Sequence, residues 1–373
     1  CERLGLPREE VDLVGWLVRH HLLMSDVAQK RDLGDPRTVA RFAQDVSSVE
    51  KLRLLLVLTV ADIRAVGPNV WNDWKGQLLR DLYRLTEAAL HGGRSDEESV
   101  RAHLASIADE AKAALIEHIG ASDALNVWMS ALDDGYWLNH DSEARAWHAR
   151  EVMRAREERA IPHVAARPRP EQGVTEVLVY AGDRAGLFAS LAAAITASGA
   201  DIASARVHTT RDGAAFDVFS VQTADHQPFG ASNAPQLAAL IERLNRAALE
   251  DIAAPAPATL SRRALAFAIE PWVRVDNDLT PQASVVEASG RDRPGLLAAL
   301  ARILAEANIS IASAHIDTYG ERASDVFYVH EEGGGQISQP QRIAALRAKL
   351  ETVLRAADPG AAKNASARAS TAR

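Results

Sequence analysis

Residues 284–331, SVVEASGRDRPGLLAALARILAEANISIASAHIDTYGERASDVFYVHE, decide the fold of this chain, because the same pattern occurs earlier in the sequence. The earlier copy, residues 175–222, reads TEVLVYAGDRAGLFASLAAAITASGADIASARVHTTRDGAAFDVFSVQ. Sliding one copy along the other aligns Asp183 with Asp292, Gly186 with Gly295, Leu187 with Leu296, Ile202 with Ile311 and Thr209 with Thr318. An internal repeat of this length indicates two similar structural units.

Each copy has the pattern of a strand, a helix, two strands and a second helix. A short apolar run is followed by a loop that contains Asp, Arg and Gly, and then by apolar residues at helical spacing. Asp212-Gly213 predicts the hairpin between the two later strands of the first copy. Residues 264–269 are predicted to add a fourth strand to that copy. The fold class expected is α + α/β, with an all-helical part followed by two ferredoxin-like βαββαβ domains.

The loop before the first helix of each copy has the residues of a small-molecule site. The first loop contains Asp183, Arg184 and Gly186, and the second contains Asp292, Arg293 and Gly295. Glycine lets the backbone approach a ligand, and the N–H groups at a helix start favour a carboxylate by about 0.3–1 kcal/mol. The aspartate is placed to face an ammonium group. The loops therefore predict a site for an amino-acid zwitterion.

The loop segments GDRAGLF and GRDRPGLL, each followed by a hairpin that ends in DVF, resemble tandem ACT domains, which are small modules that bind amino acids and regulate enzymes. The first copy has Ala185 in place of the proline, and Gly199 where the second copy has Asn308. The second copy, including Asn308, is therefore favoured as the ligand site. A purely structural role for one or both copies stays open.

Composition limits the class of protein. A length of 373 residues predicts two or three domains, and the net charge of −8 does not favour nucleic-acid binding. The single cysteine, Cys1, is typical of a reducing cytoplasm and excludes a disulfide framework within the chain. Neither a signal peptide nor an apolar run of about 18 residues is present, so no membrane partner is expected. Because residue 1 is not Met, we expect the sequence to be a fragment.

The predicted domain boundaries follow from these patterns. Residues 1–160 are predicted to be almost entirely helical and 161–173, which contain three prolines, to form a linker. The first ACT domain is expected at 174–272 and the second at 283–356. Residues 357–373, which are rich in Ala, Ser and Arg, are predicted to form a disordered tail.

Two features of the helical region have the residue types of a metal or phosphate site. Asp62 follows a nearly continuous apolar run, where an unpaired carboxylate would be costly, so a metal, hydrogen bonds or a nearby arginine such as Arg64 or Arg53 is expected to partner it. His20 and His21 are adjacent. Because adjacent residues point to different faces of a helix, they are also consistent with surface positions.

The segments WLVRHHLLMSDVAQKRDLGDPRTV (16–39) and LTVADIRAVGPNVWNDWKGQLLRDLY (58–83) resemble the later half of an HD domain. The order and spacing of these segments, together with the junction WVRVDNDLTPQASVVEASGRDRPGLL (272–297), are similar to those of bifunctional uridylyltransferase/uridylyl-removing enzymes, which act on the PII nitrogen-regulatory protein. The resemblance covers nearly the whole chain.

The resemblance implies a hydrolase that removes UMP from PII and is controlled by L-glutamine at the ACT domains. In an HD domain, a divalent metal such as Mg²⁺ or Mn²⁺ activates water. Asp62 matches the last metal-binding Asp of that family, whereas His20 and His21 match its His pair near the phosphate. All three are the catalytic residues that the resemblance implies.

Two departures limit the activity expected. The family's first His and its His-Asp pair would precede residue 1, and the nucleotidyltransferase motifs are absent from the sequence. We therefore expect the chain alone to be inactive, as a regulatory and partial hydrolytic portion of a PII-modifying enzyme. The alternative is a non-catalytic amino-acid sensor that self-associates through its ACT sheets and uses the helical region as a partner surface.

Overall fold

The computed structural model describes residues 5–66, 71–91, 96–132, 134–252, 269–319 and 322–356. The chain divides into two compact units. The helical unit contains Cys1–Asp123 and Asp133–Trp147, and the sheet unit contains Ala124–Leu132 and His148–Arg373. The predicted strand at 264–269, except Ile269, and the predicted tail at 357–373 lie outside the described residues.

The first part of the chain is helical, as predicted, and its helices end at Glu158. The helices are α1 (Arg8–His20), α2 (Leu23–Lys30), α3 (Pro36–Val46), α4 (Val49–Val66), α5 (Asp73–His91), α6 (Glu97–Ile119), α7 (Asp123–Ala131), α8 (Asp134–Asn139) and α9 (Ser142–Glu158). The core of the helical unit forms where α2, α3 and α4 pack against α5. Within the described ranges, no helix combines the length and the apolar character that crossing a bilayer requires.

The sheet unit contains one eight-stranded antiparallel sheet with the order β1-β2-β4-β3-β7-β8-β6-β5. The strands are β1 (His163–Arg169), β2 (Val174–Gly182), β3 (Asp201–Thr209), β4 (Ala214–Gln222), β5 (Trp272–Asp276), β6 (Ser284–Arg291), β7 (Ile309–Tyr319) and β8 (Arg322–Glu331). The helices that alternate with them are α10 (Leu187–Ala197), α11 (Ala234–Leu249), α12 (Leu296–Glu306) and α13 (Pro340–Ala356).

The two sequence copies form the two halves of this sheet. They meet where β3 pairs with β7, with Ala205 opposite Ala314. Each copy has a register shift at the same place, between Ile202 and Ser204 in β3 and between Ile311 and Ser313 in β7. The shared irregularity shows that the repeat extends to the details of the backbone. Within one chain, β3 and β7 thus satisfy each other's hydrogen bonds, and β1 and β5 are the outer strands.

The described residues do not confirm the predicted βαββαβ order. The position beside β2 is occupied by β1, and the position beside β6 by β5, so each repeat runs strand, strand, helix, strand, strand, helix. The interpretation of 161–173 as a linker is therefore wrong for His163–Arg169. Its prolines were misleading because an outer strand tolerates residues that lack an N–H donor. The boundaries predicted at 174 and 283 each leave out an outer strand.

The four helices α10–α13 contribute to one core with the inner face of the sheet. Nine residues of α10 are buried, because this helix packs on the sheet and against both α11 and α12. Gly290 on β6 allows α13 to pack close to the sheet. A Cβ at this position would lie 2.9 Å from Leu354 Cδ2.

The outer face of the first repeat binds the second half of α9 through a buried polar network. Glu176 Oε1 lies 3.2 Å from His148 Nε2, and Arg167 Nε donates to Glu176 Oε2 at 2.8 Å. Further along the helix, Arg156 Nε donates to the hydroxyl of Tyr180 at 2.9 Å. Burial alone would raise the pKa of Glu176, but the hydrogen bond and charge of His148 and the charge of Arg167 outweigh burial and lower that pKa to about 2.

This network predicts a loss of stability in acid. A carboxyl whose pKa is lower in the folded than in the unfolded state stabilises the fold at a pH above the unfolded pKa. The stabilisation by Glu176 should be complete above the ordinary glutamate pKa of 4.5 and should be lost as the pH falls toward about 2. Denaturant titrations of the wild type and Glu176→Gln over this range measure the effect. Identical pH profiles for the two chains would contradict it.

Candidate functional site: a cavity between the two repeats

A cavity of about 330 Å³ lies in the sheet unit where the first repeat meets the second. One wall is the loop between β2 and α10, and the opposite wall is the turn between α12 and β7. The polar residues that line it are Asp183, Arg184, Thr209, Asp217, Asn308, Ser310 and Glu332. The volume is within the range of small-molecule sites, about 300–1,000 Å³.

The start of α10 supplies backbone donors to this cavity. Gly186 precedes the helix at φ +77°, a left-handed conformation that glycine adopts without strain, and no side chain caps the helix. The first helical turn closes with Ser190 N donating to Gly186 O at 3.0 Å, so the amides of Phe188 and Ala189 have no partner within the helix. Both residues line the cavity. This end of the cavity therefore favours a carboxylate.

Two arginines contact the end of α11 and the residues that follow it, one from this loop and one from the second repeat. Arg184 Nη2 donates to Ala247 O at 2.8 Å and to Glu250 O at 2.6 Å. From the second repeat, Arg302 Nη1 contacts both carboxylate oxygens of Asp251, at 2.7 and 2.8 Å. Arg184 was predicted as a ligand-binding residue, but in this structure its guanidinium binds helix carbonyls. The bond between Arg302 and Asp251 links the two repeats beside the cavity.

Asp217, on β4, is the most unusual group in the cavity. Asp217 is 1% exposed, and its Oδ1 has no hydrogen-bond partner among the described residues. Burial raises the pKa of this carboxyl well above its usual range, and the charge of Asp183 raises it further. The repeated DVF is visible in the sequence, but Asp217 was not among the predicted site residues. An acidic residue in the middle of a buried strand pattern was the signal that could have identified it.

The structure brings four of the predicted ligand-binding residues together at this cavity. Asp183, Arg184 and Gly186 come from the first repeat, and Asn308, at φ 54° after α12, comes from the second. Asp183 is exposed at the rim, where Thr209 Oγ1 lies 3.5 Å from its Oδ2.

The sequence favoured the loop of the second repeat as the ligand site, but this loop does not line the cavity. Gly295 has the same left-handed conformation as Gly186, at φ +79°, and Asp292 is exposed. Arg293 is only 8% exposed, and its burial lowers the pKa of the guanidinium, although Asp292 acts in the opposite direction. The equivalent loops therefore place their arginines differently.

The candidate catalytic residues lie in the helical unit, where His20 is the last residue of α1, His21 follows it and Asp62 is on α4. His20 Nδ1 lies 2.9 Å from Trp16 O, and His21 Nδ1 lies 2.9 Å from Val18 O. Because a carbonyl oxygen only accepts hydrogen bonds, each Nδ1 is the donor. Asp62 is half-buried on α4. The predicted pairing of Asp62 with Arg64 or Arg53 is not among the ion pairs of the described residues.

The described part of the helical unit does not form a metal centre around these residues. His20, His21 and Asp62 do not belong to any described group of three possible ligands whose ligand atoms lie within 4.8 Å of one another. The described structure therefore shows no set of three ligands for the expected Mg²⁺ or Mn²⁺ at His20, His21 and Asp62.

The duplicated module indicates the class of protein that this chain resembles, independently of its relatives. A helical unit is followed by a duplicated α/β module, and the second copy matches the ACT domain family at residues 284–345. Over its whole length the chain is 49% identical to the bifunctional uridylyltransferase/uridylyl-removing enzyme of Caulobacter vibrioides.

Further enzymes with that name are similar to the chain. The one from Phenylobacterium zucineum is 49% identical over 96% of the chain and 38% of its own length, and the one from Azospirillum brasilense is 42% identical over 97% and 39%. The chain spans about 40% of the length of the curated relatives that it matches. The resemblance found in the sequence is confirmed by these relatives.

Proposed function

We propose that this chain is the glutamine-sensing regulatory portion, with part of the uridylyl-removing portion, of an enzyme that modifies the PII protein in nitrogen regulation. The observation that supports the proposal most directly is the cavity between the repeats, in a chain similar over all its length to enzymes named for this activity. Both copies of the repeat are ACT modules in this proposal. PII is the protein partner, the location is cytoplasmic, and neither nucleic acid nor membrane is bound.

The cavity suits an amino acid because it presents opposite charges to the two ends of a zwitterion. The amides of Phe188 and Ala189 donate to a carboxylate, and the acidic lining of the cavity accepts from an ammonium group. Asn308 and Ser310 provide donors and acceptors for a side-chain amide. Because these groups come from both repeats, bound glutamine stabilises one arrangement of the two, and this differential affinity is the source of regulation.

Calorimetric titration with L-glutamine tests the sensor, with L-glutamate, L-serine and L-phenylalanine as controls. We expect glutamine-selective binding that Gly186→Val weakens by about tenfold or more, since valine at positive φ is strained by about 1–3 kcal/mol and shifts the loop amides. The new Cβ would also lie 3.5 Å from Arg302 Nη1.

Gly295→Val is the matched control, because it introduces the same strain at the equivalent position of the second repeat. It should leave the affinity for glutamine within about twofold of the wild type. Binding lost in Gly295→Val and retained in Gly186→Val would move the sensor to the second loop. No binding of any amino acid by a folded wild-type chain would contradict the sensor.

The purified chain should neither add UMP to PII nor remove it efficiently. The parent enzyme is expected to use Mg²⁺ or Mn²⁺, with Asp62 as one ligand and His20 and His21 near the phosphate. The measurement is UMP release from uridylylated PII with either metal. Turnover comparable to that of an intact relative would contradict the prediction. Metal affinity that depends on Asp62 would favour the hydrolase portion over a purely non-catalytic sensor.

A further inference from the structure

We propose that Asp217 is the residue that recognises the positively charged amino group of the ligand. This inference rests on the proposed function, since it concerns the same cavity. It assigns to a buried strand residue the role that the sequence predicts for Asp183 in the loop.

The carboxyl group of Asp217 is not satisfied by the described part of the protein. Asp217 is almost completely buried, and its Oδ1 lacks a hydrogen-bond partner among the described residues. A buried acceptor without a partner costs free energy, and an ionised one costs more. Asp217 lines the cavity, so a ligand that donates hydrogen bonds there would remove this cost.

The charge of the surroundings also favours a cation. The charged residues that line the cavity are Asp183, Arg184, Asp217 and Glu332. Arg184 directs its guanidinium to the carbonyls of Ala247 and Glu250, and the other three charged side chains are acidic. On the neighbouring strands, the residues opposite Asp217 are Val179 and Val207, which do not titrate. A cation is therefore the complementary ligand group.

Two parts of the cavity lining differ in the charge that they attract. The amides at the start of α10 favour an anion, whereas Asp217 favours a cation. Asp183 is exposed to solvent at the rim, where water weakens its attraction for an ammonium group. A charge-assisted hydrogen bond to a buried carboxylate is stronger.

The equivalent residue of the second repeat provides a matched control. Asp325 has the same place in the repeated DVF and is 2% exposed, but it does not line this cavity. Asp217→Asn and Asp325→Asn therefore make the same change of charge at equivalent buried positions. Both variants keep the side-chain volume, and circular dichroism confirms their folding.

The test is calorimetric titration with L-glutamine and with glutaramate, which is glutamine without its α-amino group. The wild type and Asp325→Asn should bind glutamine about 10- to 100-fold more tightly than glutaramate. Asp217→Asn should lose most of this preference by weakening glutamine alone. In wild type the preference for glutamine over glutaramate should also fall at lower pH, as Asp217 becomes protonated, whereas Asp217→Asn should lack this change in preference.

The outcomes separate this inference from the proposed function. If wild type binds glutamine and Asp217→Asn keeps the full preference over glutaramate, the role of Asp217 is wrong and the sensor stands. Equal weakening of both ligands by Asp217→Asn would indicate a structural role and would also overturn the inference. A folded wild type that binds no glutamine would overturn both.

Discussion

Replacement of Glu176 by alanine is expected to lower the free energy of unfolding of the sheet unit by about 3–5 kcal/mol. The substitution removes, from a largely buried place, the carboxylate that both Arg167 and His148 contact. Breaking a buried pair by removing one member is costly because the other charge stays desolvated. Hydrogen exchange measured on peptides from β1, β2 and the second half of α9 reports the change in this unit.

The surface variant Glu242→Ala is the control for this prediction. Glu242 pairs with Arg246 one helical turn away, and both side chains are largely exposed. Exposed pairs contribute about 0–1 kcal/mol, so exchange should change little. If Glu176→Ala were no more destabilising than Glu242→Ala, the network would not hold α9 to the sheet.

Replacement of Phe219 by alanine is expected to cost about 3–5 kcal/mol. Phe219 is fully buried on β4, and its ring stacks on that of Phe188 with centroids 5.6 Å apart. Since Phe188 lines the cavity, loss of the stacked ring should weaken glutamine binding as well as stability. Urea denaturation followed by far-ultraviolet circular dichroism measures the stability, and titration calorimetry measures the binding.

Phe219→Leu separates cavity formation from loss of an apolar side chain. Leucine keeps much of the buried volume, so a smaller cost of about 1.5 kcal/mol is expected. Phe327→Ala makes the same truncation at the equivalent position of the second repeat, where the residue is also fully buried. It should destabilise the chain similarly. Equal stability of Phe219→Ala and wild type would contradict the packing described for the first repeat.

The duplicated pattern predicted most of the sheet unit because each signal was local. Strand alternation, helical spacing and the left-handed positions at Gly186 and Gly295 depend on a few neighbouring residues. The outer strands were not predicted, because their pairing is not a local property of the sequence. Whether His163–Arg169 pairs with β2 or with nothing depends on contacts that no short window contains.

The sequence predicted the candidate site only in part, because some of its contacts join residues that are distant in sequence. The loop residues were visible in the sequence, but the cavity is formed by one repeat's loop and the other's turn at Asn308. The β3–β7 pairing that joins the two repeats could not be inferred from either copy alone. The contacts of Arg184 could not be inferred from its loop either, because the carbonyls it contacts, those of Ala247 and Glu250, are distant in sequence.

The duplicated sheet unit is asymmetric beside the cavity. Arg302 of α12 reaches Asp251 and Ile252 in the first repeat, whereas alignment of the repeats places Ala193 at the equivalent position of α10. Alanine cannot make this contact. The contact between Arg302 and Asp251 thus connects the second repeat to the end of α11, beside the loop of the first repeat only. We therefore expect one glutamine to bind to each chain.

The most direct test of the glutamine cavity is a crystal structure of the chain with L-glutamine. We expect one glutamine between the Asp183–Gly186 loop and Asn308, with its carboxylate at the amides of Phe188 and Ala189 and its amino group at Asp217. Glutamine bound beside Gly295 instead, or an empty cavity at a concentration that saturates the chain in solution, would contradict it.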